Sequence, residues 1–119
     1  GEYVADYVNL GANFITIISN DAWWGDTPGH RHLLSYGRLR AIENRRYIVR
    51  SANSGVSSII NEIGEYEAIL PFDEKGILSG VAYAIDKKTF YSKNGDYIAR
   101  ISILLSVLLL LISFSRVKE

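Results

Sequence analysis

The sequence predicts a layered α/β (α+β) domain followed by one membrane-spanning helix. Three observations carry that reading: an apolar, β-branched run from Phe14 to Ser19 set between two helical patterns, further β-branched runs between residues 47 and 70, and an uncharged stretch from Ile101 to Phe114. A helix, a buried strand, a second helix and then a strand meander are the order expected of helices packed on a sheet.

From Glu2 to Leu10, Val4, Tyr7 and Val8 recur at spacings of three and four, which predicts a short amphipathic helix stopped by Gly11. Phe14 to Ser19 then reads as a strand covered on both faces, because it is almost continuously apolar. Asn20 to Gly29 reads as a loop, broken by Asn-Asp, Gly-Asp and Pro-Gly pairs, and holds both tryptophans. His30 to Arg46 predicts a helix with two stripes, able to touch two neighbours.

Tyr47 to Ser51, Val56 to Asn61 and Tyr66 to Leu70 read as successive antiparallel strands, with Ala52 to Gly55 and Ile63 to Glu65 as their turns. Gly76 to Ile85 predicts one more short strand, on looser alternation. The organisation that follows is a domain over 1–85, a polar linker over 86–96, a transmembrane helix over 97–115 and a tail over 116–119.

Formal charge balances to zero, so the chain lacks the basic footprint of a nucleic-acid binder. With no cysteine it holds no disulfide, no thiolate metal site and no thiol nucleophile of its own. There is no methionine, and the chain opens at Gly1-Glu2-Tyr3, which leads us to expect further sequence upstream.

Ile101 to Phe114 is apolar all round the helical wheel, so only lipid or a deep core suits it. Tyr97 to Ser115 would extend roughly 28 Å at about 1.5 Å per residue, close to the bilayer's hydrocarbon thickness of about 30 Å. Arg100 can snorkel to the headgroups and Tyr97 suits the interface. Arg116 and Lys118 follow, which by the positive-inside rule places the C-terminus in the cytoplasm and the rest of the chain across the membrane from it. The alternative is a buried C-terminal helix of a larger soluble protein.

The run Ile18-Ser19-Asn20-Asp21-Ala22-Trp23-Trp24-Gly25-Asp26, then His32, then Arg38-Leu39-Arg40-Ala41-Ile42-Glu43, then Arg50-Ser51-Ala52-Asn53-Ser54-Gly55-Val56, resembles the second half of the nitrilase-like domain of apolipoprotein N-acyltransferases. A closing hydrophobic helix after residues 91–95 extends the resemblance over nearly the whole chain. Soluble nitrilases and amidases share the general pattern but not the closing helix. The resemblance implies part of an α-β-β-α sandwich in the bacterial inner membrane, its nitrilase-like part periplasmic. It also implies a cysteine, a glutamate and a lysine acting together, all upstream of Gly1, and no cofactor. The implied partners are a phospholipid acyl donor, a lipoprotein acceptor and the membrane.

Within the chain, Asn20 and Asp21 directly follow the buried strand, where α/β folds place ligand-contacting groups, and their alternative role is turn capping. Trp23 and Trp24 suit an acyl-chain pocket or the membrane interface, against ordinary core packing. Asn53 can bring polar groups to the same pocket or simply serve a hairpin turn. His32 completes the pocket candidates, although His30 and His32 lack a third ligand and make no metal site. Arg40 and Glu43 are three apart on a helix and suit an ion pair. Arg50 interrupts an apolar strand and needs a carboxylate or several carbonyls as partners, Glu43 being one candidate.

Three functions remain in competition: an N-acyltransferase, a membrane-tethered amidohydrolase that passes its acyl group to water, and a non-enzymatic anchored domain. Under the first, the chain alone is expected to be inactive.

Overall fold

A computed structural model gives the fold of residues 1–116. The first helix, α1 (Glu2–Asn9), buries Ala5 and Val8, three apart on one face, and the chain turns at Gly11, whose φ of +110° favours glycine. Strand β1 (Ile15–Asn20) follows, then a single 3-10 turn over Ala22–Trp24. Helix α2 (Pro28–Asn44) begins where Thr27 caps it by accepting from the Gly29 N–H, with Pro28 in the first position, which needs no donor. It starts two residues earlier than the apolar pattern indicates, and it ends with Arg45 in the left-handed region.

Strands β2 (Ile48–Asn53), β3 (Ser57–Ile60) and β4 (Tyr66–Leu70) complete a sheet of order β1-β2-β3-β4. β1 and β2 run parallel in the register Ile15 to Ile48 through Asn20 to Asn53, and the remaining pairs are antiparallel. That register puts Ile15, Ile17, Ile48 and Ile60 on one face, where Ala41 of α2 packs on them to form the core. α1 lies beside α2.

The expectation that β1 is covered on both faces needs correction. Thr16, Ile18 and Asn20 point away from α2 into the open, and Ile18 is 86% exposed. The strand expected over Gly76 to Ile85 is also absent. This segment crosses the face opposite α2 without pairing as a strand: Gly80 passes close over Ile59, Tyr83 meets Tyr47 edge-on at 5.5 Å, and the Ile85 N–H donates to the Asn13 carbonyl at 3.0 Å. Loose alternation of apolar residues fits a segment laid across a sheet as well as a strand within it.

Helix α3 (Phe90–Asn94), capped by Thr89, and helix α4 (Tyr97–Arg116) close the described chain. No side chain from Tyr97 to Ser115 is buried, so the apolar surface of α4 finds no cover in the domain. α4 is long and apolar enough to cross a membrane. Beyond Arg116, the expected tail lies outside the described residues.

Candidate functional site

The parallel pair β1 and β2 ends at Asn20 and Asn53, and the site is built on those ends. Ser19 and Arg50 face the helix layer, and the chain leaving β1 places Asp21 over them. The Arg50 guanidinium donates to Asp21 Oδ2 at 2.6 Å, with Asp21 fully buried and Arg50 4% exposed. Ser19 Oγ donates to the other carboxylate oxygen of Asp21, and Arg50 Nε donates to the Val56 carbonyl at 3.2 Å. Each charge is thereby paired and further hydrogen-bonded, the condition under which burying an ion pair is tolerated. Arg50 therefore pairs with Asp21 and not with Glu43. A helix carboxylate was the expectation because register, and not local spacing, brings Asp21 near.

The loop after β2 is fitted to this pair. Gly55 is buried against Asp21, and a Cβ there would overlap the carboxylate. Asp73, just past β4, donates its N–H to the Ser54 carbonyl at 2.9 Å, so the chain after β4 closes on the same end of the sheet. His30, buried at the start of α2, stacks on Phe72 there at 4.4 Å, and its Nδ1 has no hydrogen-bond partner.

Asn20 and Asn53 sit side by side on the exposed rim, with the Asn53 amide donating to Asn20 Oδ1 at 3.4 Å. Asn20 Oδ1 also accepts the Ala22 N–H at 3.3 Å, an Asx turn that starts the 3-10 segment. That segment presents Trp23 almost wholly to solvent, while Trp24 is half exposed and lays its indole on Gly29. His32 is exposed on α2 and joins none of these groups. The structure thus gathers Asn20, Asp21, Arg50 and Asn53, with the tryptophans beside them and His32 apart.

Arg40 and Glu43 form a second group. Their charged atoms approach to 2.9 Å, but neither is aligned for a hydrogen bond. Burial pushes the Glu43 carboxyl up, with Arg40 opposing. Around them stand Gly1 and Tyr91, and the place a Gly1 Cβ would take is held by the Arg40 guanidinium and the Tyr91 hydroxyl. Tyr91 titrates above its ordinary range, first through burial and then through the Glu43 charge. Sequence reading missed Asn44, Arg46 and Tyr91, whose packing arises from contacts between segments distant in sequence.

A groove of about 480 Å³ runs from Gly1 past Ile18, Ser19 and Arg50 to Leu33 and Tyr36. It offers apolar walls and a polar end, which suits a ligand with a long hydrocarbon portion. The chain contains no cysteine, and among the described residues no group of three His, Cys, Asp or Glu side chains is placed to hold a metal ion.

The profile of the carbon-nitrogen hydrolase family matches residues 1–88. Among curated proteins, the chain is 37% identical over 95 residues to an apolipoprotein N-acyltransferase of Shewanella oneidensis, covering 80% of this chain and 18% of that protein. It is 38% identical over 101 residues to one of Bradyrhizobium diazoefficiens, covering 85% and 19%. To one of Chlorobaculum tepidum it is 31% identical over 113 residues, covering 95% and 21%. The chain spans about a fifth of the length of these relatives. With nearly three-quarters of its residues inside the family profile, the chain belongs to the carbon-nitrogen hydrolase family.

Proposed function

We propose that the chain is the C-terminal part of a membrane-anchored apolipoprotein N-acyltransferase. One observation carries this reading within the broader family. The family profile stops at Lys88, but the similarity to the Chlorobaculum tepidum protein spans 113 of 119 residues and so takes in most of α4. A hydrolase acting on soluble substrates has no use for that helix. An enzyme whose substrates both sit in lipid does.

In this reading, a cysteine upstream of Gly1 attacks a phospholipid ester after a glutamate takes its proton, and a lysine stabilises the oxyanion. The lysophospholipid leaves and a thioester remains. The α-amino group of a diacylglyceryl-cysteine lipoprotein then attacks the thioester, giving an amide and restoring the thiol. This chain supplies a wall of the site and an anchor. Asn20 and Asn53 offer amides to polar parts of the substrates, Trp23 and Trp24 lie against acyl chains or the interface, and the groove between Gly1 and Tyr36 receives hydrocarbon. Asp21 with Arg50, and Arg40 with Glu43, hold that wall in shape. The domain over 1–85 faces the periplasm, and α4 returns the chain to the cytoplasm, in keeping with Arg116 and Lys118 after the span.

The test is to reconstitute the complete protein in phosphatidylethanolamine vesicles with a diacylated lipopeptide and to analyse the products by mass spectrometry. N-acylated lipopeptide and lysophospholipid in equal amounts are expected. Free fatty acid with unmodified lipopeptide would instead identify an amidohydrolase-type enzyme that delivers the acyl group to water.

A further inference from the structure

We propose that the segment joining the domain to α4 is a rigid strut, which fixes the height and tilt of the β1/β2 site over the bilayer, with Ser92, Asn44 and Glu2 as its positioning residues. The functional consequence rests on the acyl-transfer reading above; the strut itself does not.

Residues 87–100 meet the domain at three levels. At the first, buried Arg46 donates to the Lys87 carbonyl and to the Ala12 carbonyl, both at 2.9 Å, while Lys88 Nζ donates to the Asn9 carbonyl at 2.9 Å. At the second, Thr89 Oγ1 donates to the Glu43 carbonyl at 2.7 Å. Ser92, buried in α3, donates to Asn44 Oδ1 at 2.9 Å, and its own carbonyl accepts from Asn9 Nδ2 at 2.6 Å. At the third, the Glu2 carboxylate accepts from the Asp96 N–H at 3.0 Å and from Arg100 Nη2 at 2.6 Å, so it sits on the first turn of α4.

These contacts come from α1, from α2 and from Arg46 in the turn after α2. A freely jointed connection would make none of them. The Glu2–Arg100 pair is exposed and weak by itself, whereas Ser92 and Asn44 are buried, where an unmade hydrogen bond is costly. Gly95 closes the arrangement. Its φ is +65°, and a Cβ there would press on the Glu2 carboxylate and the Arg100 guanidinium. α4 then starts at once, with Asp96 Oδ1 accepting the Ala99 N–H at 3.1 Å.

The strut reaches the site through adjacent residues. Gly1 lines the groove beside Ser19 and Arg50, and Glu2 clamps α4. Tyr91 of α3 packs on Gly1 as well. Any tilt of α4 relative to the domain must therefore shift the wall of the groove. For substrates held at a set depth in lipid, a misplacement of about 1 Å lowers turnover markedly.

The experiment uses the complete protein in phosphatidylethanolamine and phosphatidylglycerol nanodiscs, with bioorthogonal spin labels at Ser35 of α2 and Ser102 of α4, read by pulsed dipolar spectroscopy. Two variants are compared: Ser92→Ala with Arg100→Gln, and a short Gly-Ser insertion between Gly95 and Asp96 that leaves the buried contacts intact. We expect one narrow distance distribution in the parent and a broad one in each variant. Transfer to a bilayer-embedded lipopeptide should fall about tenfold with the insertion, while acylation by a water-soluble short-chain ester changes less than about twofold. A parent distribution as broad as the insertion variant's would overturn the strut. A narrow parent distribution with unchanged bilayer turnover in the insertion variant would overturn its positioning role. If the parent transfers no acyl group from either donor, the functional reading fails while the distances still decide the strut.

Discussion

Arg50, in the middle of β2, and Asp21, one residue past the end of β1, form an ion pair at 2.6 Å with both side chains withdrawn from water. The pair ties the two parallel strands together at the end where Asn20, Asn53 and the tryptophan turn emerge. Removing one partner leaves an uncompensated buried charge. Asp21→Ala or Arg50→Ala should each lower stability by about 3–5 kcal/mol, measured by chemical denaturation of the complete protein in detergent. The double change Asp21→Ala with Arg50→Met should recover much of that loss, since no charge is then stranded.

Gly55 offers a second check on the same geometry. Gly55→Ala pushes a methyl into the Asp21 carboxylate, and a cost of about 1–3 kcal/mol is expected from the forced repacking. A neutral effect in the same denaturation assay would show that the loop is not held against Asp21.

Ser58 lies opposite Arg50 in the β2–β3 register, and its buried hydroxyl has no hydrogen-bond partner. Ser58→Ala removes a desolvated polar atom without breaking a bond. Stability should therefore stay within about 0.5 kcal/mol or rise. A loss above that range would reveal a bond the hydroxyl makes.

Tyr47 ends in a hydrogen bond to Glu67 at 2.8 Å, and its hydroxyl is pushed up to about 12 from an ordinary value of 10.0, first by burial and then by that bond and the Glu67 charge. The folded state thus keeps its proton where the unfolded state loses it. The contribution is fully present below pH 10 and is lost as pH rises through about 12. Between these values the stability of the parent should fall more steeply than that of Tyr47→Phe. Parallel pH profiles for the two proteins would contradict the assignment.

Trp23 is 86% exposed, so Trp23→Ala should leave the denaturation midpoint almost unchanged. If the indole meets acyl chains, the same change raises the KM for phospholipid with little effect on kcat, the signature of lost uniform binding. An unaltered KM would remove Trp23 from the lipid-contacting wall.

The local elements were legible in the sequence because each carries its own period. α1, β1 and the meander β2 to β4 lie within about two residues of their apolar patterns, the usual uncertainty at element ends. Asn20, Asp21 and Asn53 were legible as neighbours of strand ends. The partner of Arg50 was not, since Asp21 stands 29 residues away and reaches it only through the parallel register. Gly76 to Ile85 alternates like a strand, yet it spans the sheet face over Ile59 and pairs with no edge. Ser92 and Asn44 are polar residues without periodic signal, and only tertiary contact reveals their burial.

The reading of this chain as one wall and an anchor of an acyl-transferring enzyme, with the thiol on sequence it does not contain, is tested most directly by locating the acyl group. The complete protein, incubated with phospholipid alone and quenched in acid, would be digested and mapped by mass spectrometry. The account predicts one hydroxylamine-labile acyl thioester, on a cysteine preceding Gly1. An acyl group carried instead on a hydroxyl or amine within residues 1–119 would contradict it.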